Sequence, residues 1–185
     1  MLNLKCDGAI HFQPVRWEAT KKYLAGKVKK GAVLDIGCAN EFGERLAREY
    51  GLKYFHTEGD LDFEWGVSFF MPYRNVFCFD VLEHLMNPLS FLVKLRMTIE
   101  KDTKVFISHP YRKFDFMWGD THFHEFRPEA FRTLIESAGY EILDHQVSRM
   151  WRKWTFYFTG LRPILRFFVV LFGWSVNNLY TVRRS

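Results

Sequence analysis

Residues 32–39, Ala32-Val33-Leu34-Asp35-Ile36-Gly37-Cys38-Ala39, decide the fold. Ala32 to Ile36 is a short aliphatic, β-branched run stopped by a glycine, the pattern of a buried strand. Gly37 lets the backbone turn sharply and approach a ligand closely. Helical spacing then resumes through Phe42, Leu46 and Tyr50 and closes at Gly51. The turn therefore opens a helix whose first amides can face an anionic group. Strand, tight turn and helix make one βα unit.

Outward from this unit the alternation continues. Upstream, Val15, Ala19, Tyr23 and Leu24 mark an amphipathic helix from Pro14 to Gly26. Downstream, residues 53–57 read as a second strand ending in Glu58-Gly59-Asp60. Residues 61–74 are aromatic, with room for a short strand but scarcely for a full helix and a strand. Residues 75–80 are a clearer strand. Asn87-Pro88 supplies an N-cap and a first-position proline for a helix buried through Leu92, Leu95 and Ile99. Residues 104–108 form the next strand. Pro128 opens a helix with Phe131, Leu134, Ile135 and Ala138 on one face, and Gly139 ends it. Strands at 140–147 and 179–182 bracket a short apolar helix at 161–172. This order predicts an α/β chain with a mainly parallel sheet covered on both faces. We read one domain over residues 1–185, with an aromatic and basic insertion at 151–174 before the last strand.

Composition sets bounds. The 185 residues are 48% hydrophobic and 25% charged, as in ordinary globular proteins, but 18% aromatic with 20 Phe, enough to leave rings for a lipid, a flat substrate or a partner. A net charge of +5 and a pI of about 9.1 suit anionic partners but are too weak to imply nucleic acid. Much of the positive charge falls late, at Arg149, Arg152, Lys153, Arg162, Arg166, Arg183 and Arg184. With Trp151, Trp154, Phe156, Tyr157 and Phe158, it gives 151–174 two readings. One is a peripheral membrane contact through an interfacial helix; the other, which we favour, is a helix covering the sheet or a dimer contact. Cys6, Cys38 and Cys78 show no metal or redox spacing, and their odd count fits a reducing cytosol better than a disulfide framework. No signal peptide is evident, and the longest apolar run, residues 167–174, is far short of the ~20 needed to span a bilayer. A cytoplasmic protein, with membrane association open, is the expectation.

In parallel sheets ligands bind beyond the carboxyl ends of the strands. Asp35, Glu58 and Asp80 fall there. Glu58, 23 residues after Asp35, is placed to accept both hydroxyls of a ribose, while Phe79 and Asp80 could flank a base or a cationic sulfonium. The aromatic loop of residues 110–126 is an even choice between a lid and a core-packed loop.

This set resembles the class I S-adenosylmethionine-dependent methyltransferases. Val33-Leu34-Asp35-Ile36-Gly37-Cys38 is similar to the family's first motif, and Asp80-Val81-Leu82-Glu83-His84-Leu85 to the segment of its small-molecule branch. Asn87-Pro88-Leu89 and His124-Glu125-Phe126-Arg127-Pro128-Glu129-Ala130-Phe131 follow in order, so the likeness covers residues 14–148. It implies a Rossmann-like three-layer sandwich with a seven-stranded sheet whose last strand is antiparallel. It also implies S-adenosylmethionine as cofactor, held by Asp35, Gly37, Cys38, Ala39, Glu58, Phe79, Asp80 and Val81. Two departures stand out. The loop runs Gly37-Cys38-Ala39-Asn40-Glu41, with its next glycine at Gly43, and Glu41 brings a charge toward the cofactor carboxylate. The segment between Glu58 and Asn75 is also short, leaving Asp60 and Asp62 as guesses for the adenine contact.

For the acceptor side we expect His84, His109 and His124 as catalytic candidates, each weighed against packing roles. Asp80, Glu83, His84 and His124 could form a mixed oxygen and nitrogen metal set, but the expectation is that no metal is bound. The function expected is methyl transfer to a small-molecule, sugar or lipid-linked acceptor. Its rivals are a non-catalytic cofactor-binding module and a metal-assisted RNA 2′-O-methyltransferase.

Overall fold

The computed structural model describes residues 14–67, 72–112, 121–148 and 175–185. Helix α1 (Pro14–Leu24) precedes β1 (Ala32–Asp35), whose residues are all buried. Helix α2 (Glu41–Glu49) and β2 (Lys53–Gly59) follow, then β3 (Trp65–Val67) and β4 (Tyr73–Phe79). A 3₁₀ turn (Leu82–His84) leads to α3 (Pro88–Thr98), β5 (Lys104–Arg112), α4 (Pro128–Ser137), β6 (Tyr140–Ser148) and β7 (Ser175–Arg184). Among the described residues these strands make one sheet of seven, ordered β3-β2-β1-β4-β5-β7-β6. It is the Rossmann-like sandwich expected.

Its middle is parallel: β1 lies between β2 and β4, and β4 pairs with β5. The last strand is reversed as expected, and the edge adds a second reversed strand. β3 also runs antiparallel, opposite Thr57 to Gly59 of β2. The cause is length. Only residues 60–64 separate β2 from β3, and a parallel return needs a dozen or more. β7 is antiparallel to both β5 and β6. Both β5 and β7 are longer than their sequence patterns indicated, and β5 takes His109 inside the strand.

Alternation along the strands feeds two cores. Val33, Phe77, Phe79, Phe106 and Leu179 face α1 and α2, packed with Trp17, Tyr23, Phe42 and Leu46. Leu34, Val76, Cys78, Val105, Ile107 and Tyr180 face α3 and α4, packed with Phe91, Leu92, Phe131 and Ile135. The crossover through α2 and that through α3 thus lie on opposite faces and part at the β1–β4 junction, which opens a crevice at the strands' carboxyl ends. Among the described residues no helix is long and apolar enough to cross a membrane. The insertion at 151–174, the helix expected at 161–172 and most of the aromatic loop lie outside the described residues.

Candidate functional site

The turn after β1 is tied down from three sides. Asp35 is 3% exposed, and its Oδ2 accepts from the Tyr54 hydroxyl (2.8 Å) and from Asn40 Nδ2 (2.9 Å). Burial pushes its carboxyl up to about 7, partly offset by those two donors. Asn40 also caps α2, its Oδ1 accepting from the Gly43 amide at 2.8 Å, while its Nδ2 donates to the Cys38 carbonyl. Gly37, at φ +111°, donates its amide to Thr57 Oγ1 at 2.8 Å. Among the described residues, a Cβ built on Gly37 would meet nothing within 4 Å. At Gly43 a Cβ would overlap the Asp35 carboxylate. The glycine missing from the loop is thus matched by one in the helix's first turn, where the buried acid needs the room.

Cys38 and Ala39 are exposed on the turn. Cys78 is a free buried thiol. Glu41 turns to solvent: its side chain is 75% exposed and sits 3.5 Å from Arg45. Glu58 is exposed near the end of β2, in alternation with Tyr54 and His56. Of the two adenine guesses, Asp62 is engaged elsewhere. Its carboxylate accepts from the amides of Met86 (3.0 Å) and Asn87 (2.9 Å), clamping the start of α3.

Beyond β4, Asp80 adopts φ +52°. Its Oδ1 accepts from Ser108 Oγ at 2.6 Å and its Oδ2 pairs with Arg16 of α1 at 2.7 Å. Arg16 is itself 8% exposed, and its Nε and Nη2 have no hydrogen-bond partner among the described residues. Val81 is half-buried and starts the 3₁₀ turn. Phe79 is not free to flank a ligand. It is 5% exposed, stacked on Phe77 at 5.3 Å and edge-on to Phe42 at 6.1 Å.

The three histidines part company. His109 is within β5, not beyond it, and is fully buried; Phe131 stacks on it at 4.0 Å. Burial pushes its pKa down to about 4, so it is a neutral core ring. His124 leans on Phe126 at 5.3 Å, its Nε2 3.4 Å from the Met86 carbonyl. His84 instead meets His122, ring centroids 4.8 Å apart, and with Glu83 they bring ligand atoms within 4.8 Å of one another. The metal set considered from the sequence, with Asp80 and His124, is therefore not the one assembled: His122 takes the place of His124. Glu83 is 1% exposed, and burial with nearby Asp80 holds its carboxyl well above the usual range.

A family model described as a methyltransferase domain matches residues 9–145. The chain belongs to the methyltransferase domain family. No curated protein sequence matches it. Among solved structures, a putative methyltransferase from Bacillus halodurans shares 15% identity at TM-score 0.57, over 90% of this chain and 97% of that one. A SAM-dependent methyltransferase from Archaeoglobus fulgidus shares 13% identity at TM-score 0.56, over 89% and 94%. Phosphoethanolamine N-methyltransferase 2 of Haemonchus contortus, in complex with S-adenosyl-L-methionine, shares 14% at TM-score 0.57, over 91% of this chain and 52% of that one. These likenesses are of fold.

Membership in this methyltransferase family supports S-adenosylmethionine as the cofactor, and the residues fit it. The open turn at Gly37 gives the backbone access a ligand needs, Glu58 presents an exposed carboxylate, and the start of α2 offers amides with Glu41 held away. One cavity of about 390 Å³, lined by Lys101, Asp102, Glu141 and Arg183, sits at the opposite end of the sheet. Arg16, Tyr54, Thr57 and His122 were missed as site residues. Only Asn40 carried a readable signal, an amide side chain directly before a helix.

Proposed function

We propose that the chain transfers a methyl group from S-adenosylmethionine to a small-molecule, sugar or lipid-linked acceptor. The observation that carries this reading is the open, positive-φ turn at Gly37 beside the buried Asp35 carboxylate, at the β1–β4 crevice. When bound, the cofactor supplies an electrophilic methyl on a sulfonium. Asp35 fixes the turn through Tyr54 and Asn40. Glu58 accepts the ribose hydroxyls, and the first amides of α2 receive the carboxylate end. Arg16 neutralises Asp80 across the crevice floor between α1 and β4.

Methyl transfer needs chiefly in-line positioning of the nucleophile. On the acceptor side His84 stands beyond β4, its Nδ1–H donating to the Thr121 carbonyl at 3.0 Å, which leaves Nε2 as a lone pair. The modest net charge supports a small acceptor over a nucleic acid. A labelled-methyl screen over small hydroxy acids and amines, sugars, lipid-linked sugars and RNA tests the reading. Label in one of the first four classes, cut by His84→Gln with cofactor affinity unchanged, is expected. Label only in RNA would overturn it, and cofactor binding with no label anywhere would make the chain a non-catalytic module.

A further inference from the structure

We infer that Glu83, His84 and His122 bind one divalent first-row transition-metal ion beside the acceptor side of the crevice. Their ligand atoms lie within 4.8 Å of one another, and the hydrogen bonds around them leave each with an unused donor atom. His84 Nδ1–H donates to the Thr121 carbonyl at 3.0 Å. His122 Nδ1–H donates to Glu125 Oε1 at 2.7 Å. Both acceptors select the Nδ1–H tautomer of the neutral ring, whose remaining lone pair is on Nε2. A carboxylate or carbonyl on the far nitrogen is the arrangement that orients metal-ligating histidines.

Glu83 is the independent observation. It is 1% exposed, yet among the described residues neither carboxylate oxygen has a hydrogen-bond partner. Its backbone is well used: its carbonyl accepts from the amides of Phe123 (2.8 Å) and His124 (3.1 Å), which brings the 121–126 loop onto the 3₁₀ turn. Buried polar atoms are otherwise nearly always paired. A cation answers both the orphan carboxylate and the two unused lone pairs. Two imidazoles and one carboxylate select a transition ion over magnesium or calcium, and leave positions open for water or an acceptor oxygen. His84 then meets the acceptor through the ion rather than as a free base.

Full-length protein without a histidine tag, stripped with chelator, is titrated with Co²⁺ and Mn²⁺. One Co²⁺ per chain is expected, with visible d–d bands that carry the signature of imidazole ligation, and one Mn²⁺ by calorimetry. Glu83→Gln, His84→Gln and His122→Gln each weaken binding at least tenfold, and Glu125→Gln weakens it by about 10–100-fold. His124→Gln leaves it unchanged. Circular dichroism checks that each variant folds, and the wild-type cobalt spectrum needs no variant. Absence of d–d bands, or binding that survives both Glu83→Gln and His122→Gln, overturns the inference. The readout is metal binding, so such a result would leave the methyl-transfer reading standing.

Discussion

Asp35 carries its carboxylate inside the protein, where two neutral donors hold it and a buried acid costs free energy to ionise. Its folded pKa, about 7, lies above the ~3.9 of an unfolded aspartate. Protonation therefore favours the folded state. That contribution is complete below about pH 4 and is lost as pH rises through about 7, an effect of the order of 4 kcal/mol. Urea unfolding of wild type and Asp35→Asn at several pH values should show the wild type losing stability relative to the variant across that window and holding level above it. A pH-independent gap would contradict the burial argument. Gly43 belongs to the same contact. Alanine is ordinarily better than glycine in a helix by about 1 kcal/mol, but here its Cβ would overlap the acid. Gly43→Ala should lower stability by about 1–3 kcal/mol, and a more stable variant would show that the acid moves aside freely. The sequence revealed Asp35 and Gly37 because strand, acid and glycine are adjacent. It hid Tyr54 and Thr57 because their link to the turn spans about 20 residues and exists only once β2 pairs with β1.

Helix α1 shows how an element can be legible and its buried face only partly so. Of the stripe Val15, Ala19, Tyr23 and Leu24, Tyr23 and Leu24 are buried as expected, and Arg16, Trp17 and Thr20 are buried with them. The buried face is wider than the apolar stripe because a charged residue beside it has tertiary work: Arg16 reaches Asp80, as Tyr23 reaches Thr181 with a hydrogen bond. Hydrophobic periodicity cannot count such residues. The Arg16–Asp80 pair, with side chains 10% and 18% exposed, should behave as a buried one. Arg16→Ala should cost about 3–5 kcal/mol in chemical denaturation, because Asp80 is left uncompensated; a loss within about 1 kcal/mol would mean the pair is screened as if on the surface. The hairpin edge makes a second case. The shortness of 61–74 was readable, but its outcome, an antiparallel β3 and an Asp62 clamp on α3, depends on where the chain returns. Asp62→Ala should cost about 1–3 kcal/mol and speed hydrogen exchange at the Met86 and Asn87 amides, and unchanged exchange there would remove the clamp.

Across the whole molecule, the strand order places the ends of β1, β2 and β4 side by side, and with them Asp35, Glu58 and Asp80. That much followed from the alternation of elements. The sorting of histidines did not: His109, His122 and His124 are all near strand or helix ends in sequence, yet one is core, one faces His84 and one lies against Phe126. Longer pairing with β7 drew His109 into the sheet, and the two amides bound to the Glu83 carbonyl set which loop histidine reaches His84. The family match supports S-adenosylmethionine as the cofactor, and everything proposed for the acceptor rests on its binding at the β1 turn. Isothermal calorimetry with S-adenosylmethionine and S-adenosylhomocysteine tests that most directly. One site per chain is expected for both ligands, weakened at least tenfold by Glu58→Ala and by Gly37→Val in variants whose circular dichroism is unchanged. No binding to the folded wild type, or equal binding by both variants, would contradict it.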